Sequence, residues 1–314
     1  MPATTPTPDS RVFDQWQSLA RTELLPPQWL ADTLQYVPEL VARLVAQQSR
    51  QQQTMVVGIN GAQGTGKTTL AKTIAIMLES QFHLKTTVLS LDDFYLSRQT
   101  RQQLGRDVHP LLTTRGVPGT HDIAQAIATV QQLRSTTDDV VLPGFDKATD
   151  DCLPHARRQH TRAPRDVIIL EGWCIGVPPQ DIDALIEPVN TLEAEEDADG
   201  YWRRHVNDCL AGSYQDLFAC IDYLVMLKAP SFDCIQAWRS LQESKLAARQ
   251  AAGDGAGSGI MTPDTIMRFI QHYERLTRHA LSTLPEQADA VLCLDAEHRI
   301  CASNYHYNSH DNNH

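Results

Sequence analysis

A glycine-rich stretch carries the clearest chemistry in the sequence. Residues 61–68 read Gly-Ala-Gln-Gly-Thr-Gly-Lys-Thr and fit G-x-x-x-x-G-K-[ST] at every fixed position. Glycines let the backbone curl so that its N–H groups surround phosphate oxygens, and a helix that begins near Lys67 adds the positive end of its dipole. The Lys67 ammonium can reach the β and γ phosphates, and the Thr68 hydroxyl can bind Mg²⁺. The pattern predicts a nucleoside triphosphate site formed by Gly61, Ala62, Gln63, Gly64, Thr65, Gly66, Lys67, Thr68 and Thr69.

Acidic side chains follow two short apolar segments elsewhere in the chain. Asp92 and Asp93 come directly after Thr87–Leu91, and Glu171 comes directly after Val167–Leu170. Ligands of an open parallel sheet lie at the carboxyl ends of its strands, so we expect these acids in one crevice with the glycine-rich loop. A carboxylate there can bind the metal or take a proton from an acceptor hydroxyl, although it can also simply cap the next helix. Because side chains alternate along a strand, only one of Asp92 and Asp93 is expected to face the crevice.

The elements that must position these residues alternate along the chain. Short apolar segments of strand length are separated by longer segments with apolar residues at helical spacing. This alternation predicts an α/β fold, a doubly wound parallel sheet of five strands with helices on both faces. The predicted strands are Thr54–Ile59, Thr87–Leu91, Val167–Leu170, Ile221–Leu227 and Ala290–Leu294, and the clearest helices are Thr68–Phe82, Ile123–Leu133, Phe232–Gln250 and Pro263–Leu281.

Charge and composition narrow the expected partners and location. Lys and Arg number 27 and Asp and Glu 38, so the net charge is −11. That balance argues against a general binder of nucleic acid or anionic membranes. The sequence has no apolar run long enough to span a bilayer, residues 1–10 lack the pattern of a signal peptide, and the seven cysteines are scattered without a C-x-x-C. We therefore expect a cytoplasmic protein with neither nucleic acid nor membrane as a partner.

Further motifs follow the glycine-rich loop in a fixed order. The sequence Asp-x-Phe-Tyr stands at 92–95, and an apolar run followed by Glu-Gly stands at 167–172. This order resembles the small-metabolite kinases of the P-loop class, which include uridine kinase, phosphoribulokinase and bacterial pantothenate kinase. It is still more similar to plant-type D-glycerate 3-kinase and its fungal and bacterial relatives. The resemblance spans roughly residues 40–300, on the motifs Ser90–Leu96, His109–Leu112, Arg115–Asp122, Phe145–Lys147, Leu170–Trp173, Asn190–Glu193 and Trp238–Glu243.

The resemblance implies roles for individual residues. Asp92 matches the carboxylate that takes the acceptor proton, and Glu171 matches the acid beside the metal. Arg239 falls in a lid, where an arginine reaches the transferring phosphoryl group. Lys67, Asp92 and Arg239 are then the expected catalytic residues, and Thr68 and Glu171 the expected metal ligands. The candidate acceptor-binding residues are Asp93, Tyr95, Arg115, His121, Asp122, Asp146 and Lys147.

Several acceptor-side residues also have ordinary structural explanations. A small hydroxy acid needs a cation for its carboxylate, which Arg115, Lys147 or His121 could supply. Arg115 could instead hydrogen-bond to the carbonyls of a turn. His121 and Asp122 could begin a helix, and Asp146 and Lys147 could form an exposed ion pair that contributes little.

The resemblance also divides the chain into parts. Composition predicts mobility in Glu193–Gly200, read as an acidic surface run, and in Gly253–Gly259, read as a flexible linker. Arg239 lies four residues before Glu243, so a surface ion pair on one helix is an alternative to its lid role. The expected parts are an N-terminal helical extension (1–50), a P-loop kinase domain (51–303) with a helical lid at about 230–262, and a disordered tail (304–314).

An ATP-dependent kinase that uses Mg²⁺ is the function these features favour. The γ-phosphoryl group would pass to a hydroxyl of a small metabolite, expected to be a hydroxy acid, with D-glycerate as the best single guess. The segment Ala148–Pro154 departs from the glycerate kinase pattern on the acceptor side. Two alternatives stay open: a kinase for a nucleoside or a pantothenate-like acceptor, and a nucleotide-dependent switch or assembly NTPase. A GTPase would usually carry N-K-x-D, which the sequence lacks.

Overall fold

The computed structural model of the chain describes residues 5–239 and 263–306. Within these ranges the chain forms a mixed α/β fold around one main sheet, as its alternating pattern predicts. Most of the predicted lid, Glu243, the Gly253–Gly259 linker and the tail beyond 306 lie outside the described residues.

Strands of two kinds occur in the described residues. Five apolar strands and one more polar strand build the main sheet, and four short strands form two small antiparallel pairs outside it. In chain order the strands are β1 (Met55–Gly61), β2 (Thr86–Ser90), β3 (Asp139–Val141), β4 (Phe145–Asp146), β5 (Asp151–Cys152), β6 (His160–Arg162), β7 (Val167–Gly172), β8 (Tyr223–Lys228), β9 (Ala290–Leu294) and β10 (Ile300–Tyr305).

The main sheet runs in the order β10-β9-β8-β1-β7-β2. Its five parallel strands correspond to the five predicted ones, but a sixth strand, β10, pairs antiparallel with β9 at the edge. The prediction of five strands is therefore wrong by one. The predicted tail also begins too early, because Asn304 and Tyr305 pair with β9. β10 is polar and only partly buried, so it lacks the apolar run that indicates a strand covered on both faces.

Helices cover both faces of the main sheet. Alternate residues of β1 point to opposite sides, so Val56 packs in a core with Val130 while Val57 packs in a second core with Ile74. None of the described helices is both long and apolar enough to cross a membrane. The helices are α1 (Ser10–Thr22), α2 (Gln28–Gln51), α3 (Lys67–Phe82), α4 (Arg98–Asp107), α5 (Ile123–Ser135), α6 (Thr191–Glu196), α7 (Tyr201–Cys209), α8 (Gln215–Phe218), α9 (described over 232–239) and α10 (Pro263–Gln287).

The N-terminal helices pack directly on α3. The break between α1 and α2 includes Pro26 and Pro27. Trp16 of α1 is fully buried, and its Nε1 donates a hydrogen bond to the carbonyl oxygen of Thr73 in α3 at 3.0 Å. Val37 of α2 belongs to the same apolar core as Met55, Val57 and Ile59 of β1. The extension and the glycine-rich loop are therefore held in one packed unit.

The acidic run Glu193–Gly200 is not a mobile surface segment. Glu193 and Asp197 are buried, and each is paired with a buried arginine. Arg275 of α10 lies 2.6 Å from the Glu193 carboxylate, and Arg203 of α7 lies 3.0 Å from the Asp197 carboxylate. Composition suggested exposure because the partner of Glu193 is 82 positions away in the sequence. Paired burial of this kind is expected wherever a carboxylate enters a core.

Candidate active site

The glycine-rich loop joins the carboxyl end of β1 to the first turn of α3. Gly61 ends the strand at a point where an added Cβ would lie 2.5 Å from the Thr65 hydroxyl. Gly64 and Gly66 have φ of +81° and +88°, a left-handed conformation that glycine adopts without strain. The Thr65 hydroxyl closes the turn by donating to the Ala62 carbonyl oxygen at 2.8 Å. Because the first N–H groups of a helix lack intrahelical partners, this geometry can bind phosphate.

Lys67, Thr68 and Glu171 meet beside the loop. Thr68 Oγ1 donates to Glu171 Oε1 at 2.6 Å, and Lys67 Nζ lies 3.9 Å from Oε2. Glu171 Oε2 is buried and accepts no hydrogen bond from the described residues. Hydroxyl and carboxylate oxygens are ligands that suit Mg²⁺. The described residues contain no cluster of three or more His, Cys, Asp or Glu that could hold a metal.

Asp92 lies between a phenol and two ammonium groups. The Tyr95 hydroxyl donates to Oδ1 at 2.7 Å, and Lys147 Nζ donates to Oδ2 at 2.7 Å. Burial favours a higher pKa for Asp92, but the charges of Lys147 and Lys67 and these two hydrogen bonds outweigh it and bring the pKa to about 2. Asp92 is therefore ionised at neutral pH and close to the ammonium of the phosphate loop.

Asp93 shares this cluster rather than pointing away from it. Both acids lie in a 3₁₀ turn, Leu91–Phe94, so strand alternation does not apply and the expectation that only one faces the crevice is wrong. Burial, with smaller contributions from the charges of Asp92 and Glu171, raises the pKa of Asp93 to about 6. A hydrogen bond from the Phe145 backbone N–H opposes this rise in pKa. Ionisation of Asp93 therefore lowers the free energy of unfolding.

We expect Asp93→Asn to stabilise the protein at neutral pH. A carboxyl whose folded-state pKa is raised from 3.8 to about 6 has no effect on stability below pH 3.8, where it is protonated in both states. It lowers the free energy of unfolding progressively between pH 3.8 and about 6, because there the unfolded chain releases the proton that the folded protein keeps. The full cost above that pH is about 3 kcal/mol. The variant should melt several degrees above the parent at pH 7.5, and this difference should shrink at pH 4. An equal difference in melting temperature at both pH values would contradict the assignment.

Tyr95 and His121 form a buried stacked pair beside Asp92. Their ring centroids are 4.6 Å apart, and the Tyr95 hydroxyl is engaged with Asp92. His121 Nδ1 lies 2.6 Å from the hydroxyl oxygen of Tyr214. Burial lowers the pKa of His121 to about 4, so the imidazole is neutral at pH 7. The expectation that His121 could supply a cation for the acceptor is therefore wrong, and both rings instead support the position of Asp92.

Arg115 is held by Asp150, a residue that the sequence analysis did not identify. The Asp150 carboxylate pairs with the Arg115 guanidinium and lies 2.9 Å from Nη2 of Arg101. Arg101 is buried and donates hydrogen bonds to three backbone carbonyl oxygens. Arg101, rather than Arg115, is therefore the arginine whose side chain binds backbone carbonyls in this region. Asp150 lies in the segment that departs from the glycerate kinase pattern. The Arg115 side chain stays a quarter exposed.

Asp122, Asp146 and Lys147 have separate environments. Asp122 begins α5, where its Oδ1 accepts a hydrogen bond from a first-turn N–H at 2.9 Å, so the helix-cap explanation holds. Asp146 binds the backbone of its own turn and lies 3.7 Å from Arg157 rather than pairing with Lys147. Lys147 is the member of this group that reaches into the crevice, through its ion pair with Asp92.

Three further residues anchor the loops around the crevice. Asn60 Nδ2 donates to the carbonyl oxygen of Trp173 at 3.1 Å, which fixes the loop after β7. Trp173 Nε1 donates to the Gly116 carbonyl oxygen at 2.8 Å, and the Tyr273 hydroxyl donates to the Arg115 carbonyl oxygen at 3.0 Å. Asn60 has one detectable signal, a polar residue at the end of an apolar run. The other two contacts join segments too far apart in sequence to be predicted.

Arg239 is the last described residue of α9. The centre of its guanidinium lies 5.9 Å from the ring centroid of Phe269 in α10. The preceding residue, Trp238, passes close to the glycine-rich loop, because a Cβ added to Gly64 would lie 3.8 Å from the Trp238 Cβ. The base of the predicted lid is therefore next to the phosphate loop, and the contact of Arg239 with a phosphoryl group stays a prediction.

Known proteins similar to this chain carry kinase names. No family model matches it. "Uncharacterized kinase mug58" of Schizosaccharomyces pombe is 28% identical over 251 residues, covering 77% of this chain and 86% of that protein. "Probable ATP-dependent kinase TDA10" of Saccharomyces cerevisiae is 26% identical over 247 residues, covering 70% of this chain and 75% of that protein.

A solved structure shows the same fold. D-glycerate 3-kinase from Cryptococcus neoformans superposes with a TM-score of 0.70 at 23% identity, covering 86% of this chain and 99% of that one. Together with the two named relatives, this match confirms the resemblance to P-loop kinases that the order of motifs indicates.

Proposed function

We propose that this protein is a kinase that transfers the γ-phosphoryl group of ATP to a hydroxyl of a small anionic metabolite, with D-glycerate as the leading acceptor. The observation that carries the proposal is the position of Asp92, an ionised carboxylate beside the Lys67 ammonium of a complete phosphate loop. A protein that only hydrolyses or senses a nucleotide has no need of a carboxylate on the acceptor side. The kinase names of both relatives support the reaction, and the name of the similar solved structure supports the acceptor.

The phosphate end of the site works by positioning and charge neutralisation. The loop amides and the first turn of α3 hold the β and γ phosphates, and Lys67 offsets the charge that develops as the phosphoryl group moves. Thr68 and Glu171, whose Oε2 accepts no hydrogen bond from the described residues, are the residues that would hold Mg²⁺. That ion, when bound, neutralises phosphate charge. The residues of the chain orient the phosphates in line with the acceptor.

Asp92 orients the acceptor hydroxyl and receives its proton. The new bond forms between the acceptor oxygen and the γ phosphorus, the bond from that phosphorus to the bridging oxygen of ADP breaks, and the proton passes to the Asp92 carboxylate. A pKa of about 2 makes Asp92 a weak base. It therefore orients the acceptor hydroxyl and takes the proton late, as the acceptor oxygen loses electron density. The Tyr95 hydrogen bond keeps one carboxylate oxygen in place.

Two cations favour an anionic acceptor. Lys147 lies 2.7 Å from Asp92, and the Arg115 side chain is partly exposed. A planar guanidinium binds a carboxylate through two parallel hydrogen bonds. Both cations already have a carboxylate partner, Asp150 for Arg115 and Asp92 for Lys147. Arg115 is the better candidate for the substrate carboxylate because its planar guanidinium carries further N–H donors besides the one that binds Asp150. Arg239, beside the phosphate loop, is proposed to contact the transferring group when the lid closes.

A screen of acceptors tests the proposal. We expect ATP consumption by the parent protein to rise strongly with D-glycerate and weakly with glycerol, nucleosides or pantothenate. Arg115→Met should raise the KM for D-glycerate about 10- to 100-fold, the loss expected for a charged hydrogen-bonded pair, and leave the KM for ATP nearly unchanged. Arg106→Met, on the exposed side of α4, is the matched control. Turnover that responds to no small acceptor would instead favour the switch or assembly NTPase.

A further inference from the structure

A cavity of about 490 Å³ lies on the side of the phosphate loop away from the acidic cluster. Its size falls within the usual range of small-molecule sites. The glycine-rich loop and α3 form one wall, the start of α2 forms the second, and the turn between β9 and β10 forms the third. Among the lining residues are Trp29, Asp32, Gly66, Thr69, His298 and Arg299.

The cavity is continuous with the phosphate site. Gly64, Thr65 and Gly66 line it, whereas Asp92 and Glu171 lie outside it. A nucleotide whose γ phosphate lies near Asp92 would therefore extend across the loop and place its base in this cavity. The apolar side chains of Trp29, Leu25 and Leu70 offer a surface for a purine ring.

Asp32 is the charged residue of the cavity with the least exposure to solvent. Its side chain is 9% exposed, and Arg299 Nε lies 3.7 Å from Oδ2, beyond hydrogen-bond distance. A buried carboxylate requires hydrogen-bond donors, and an N–H group of a ligand can supply one. We propose that α2 of the N-terminal extension forms part of the base site, and that Asp32 accepts a hydrogen bond from the 6-amino group of adenine. This inference rests on the proposed function, since it assumes that a nucleotide occupies the loop.

The position of Asp32 relative to the phosphate loop is fixed by an anchor. Glu23, in the link between α1 and α2, accepts hydrogen bonds from Thr69 Oγ1 at 2.9 Å and from Lys72 Nζ at 2.6 Å. Thr69 and Lys72 both belong to α3, the helix that begins at the loop. The extension is thus tied to the helix that binds the phosphates, which gives Asp32 a defined distance from them.

Asp32 also gives the site a means of rejecting other bases. A 6-oxo purine places a carbonyl oxygen where adenine has its amino group, and two acceptors facing each other repel. Loss of a hydrogen bond to a charged group changes affinity by about 10- to 100-fold. We therefore expect the parent protein to bind ATP about 10- to 100-fold more tightly than ITP or N6,N6-dimethyl-ATP, which offer no N–H at this position.

Titration calorimetry without any acceptor tests this assignment. Asp32→Asn should bring the ATP-to-ITP affinity ratio close to one, because an amide can also donate to a 6-oxo group. Asp14→Asn makes the same chemical change at an exposed site of α1 and should leave the ratio unchanged. Equal affinity of the parent for ATP and N6,N6-dimethyl-ATP, tighter binding of GTP than of ATP, or an unaltered ratio in Asp32→Asn would overturn the assignment.

The affinities of the parent protein for ATP, ITP and N6,N6-dimethyl-ATP test the assignment even if Asp32→Asn folds poorly. Failure of the base assignment is also distinguishable from failure of the proposed function. Tight binding of ATP and ITP alike would reject the role of Asp32 and leave the kinase intact. A parent protein that bound neither nucleotide would reject both.

Discussion

Lys67→Ala should remove most phosphoryl transfer. The ammonium of Lys67 lies beside Glu171 and close enough to Asp92 to lower its pKa, so it stands where the transferring group must pass. Loss of a preorganised charge that stabilises a transition state lowers kcat by about 10²–10³-fold. The affinity for ATP should fall as well, because the same ammonium offsets phosphate charge before the reaction begins.

Two measurements on Lys67→Ala separate these effects. Initial rates at saturating ATP report kcat, and the rise in melting temperature on adding Mg²⁺ and ATP reports binding by mass action. Lys72→Ala is the matched control, since Lys72 lies on the same helix and pairs with Glu23 instead. It should keep near-parental turnover. Undiminished turnover in Lys67→Ala would show that the loop does not bind the transferred phosphate.

Asp92→Asn should abolish phosphoryl transfer and spare nucleotide binding. The substitution preserves shape, and its carbonyl oxygen can still accept from Tyr95, but it removes the charge and the capacity to take a proton. General-base catalysis contributes about 10²–10⁴-fold to rate. The ATP-induced rise in melting temperature should survive in this variant. Single-turnover rates with ATP in excess would measure the loss directly.

Two further variants test the assignment of Asp92. Asp93→Asn should lower transfer much less than Asp92→Asn, and the reverse order would exchange the roles of the two acids. Lys147→Met removes the ammonium that lowers the pKa of Asp92, so that pKa should rise. The acid limb of the rate–pH profile should then move to higher pH. An unmoved acid limb would mean that another group controls it.

The fold was predictable wherever burial leaves a simple pattern. The parallel strands at the centre are covered on both faces, so their sequences are apolar throughout, as in β1 and β7. The antiparallel strand β10 mixes polar and apolar residues, because it lies at the edge of the sheet that the described residues form and is only partly buried. The burial of Glu193 was not predictable, because its charge is balanced by Arg275 in a distant helix.

In the candidate site too, features set by neighbouring residues were predictable and features set by distant residues were not. The position of Lys67 and Thr68 at the start of α3 was predictable, because the glycine-rich turn that sets it is formed by neighbours within a few residues. The clustering of Asp93 with Asp92 was not, since it depends on a 3₁₀ turn that replaces the end of the strand. The neutral state of His121 depends on burial by residues far along the chain. The ion pairs of Asp150 were also not predictable, because its two arginine partners come from other segments of the chain.

The order of strands in the sheet has a consequence for how the protein folds during synthesis. Thr68 and Glu171, which are hydrogen-bonded to each other in the site, are 103 positions apart in the sequence. The Val56 N–H of β1 donates a hydrogen bond to the carboxylate of Asp222, which lies 166 positions further along the chain. A ribosome releases the phosphate loop long before either neighbouring strand of β1 exists. Contacts this distant in sequence slow folding, because the intervening chain must be closed before they form. The apolar strand β1 therefore has no neighbouring strand to pair with during that interval. We expect its need for protection by chaperones to be greatest then.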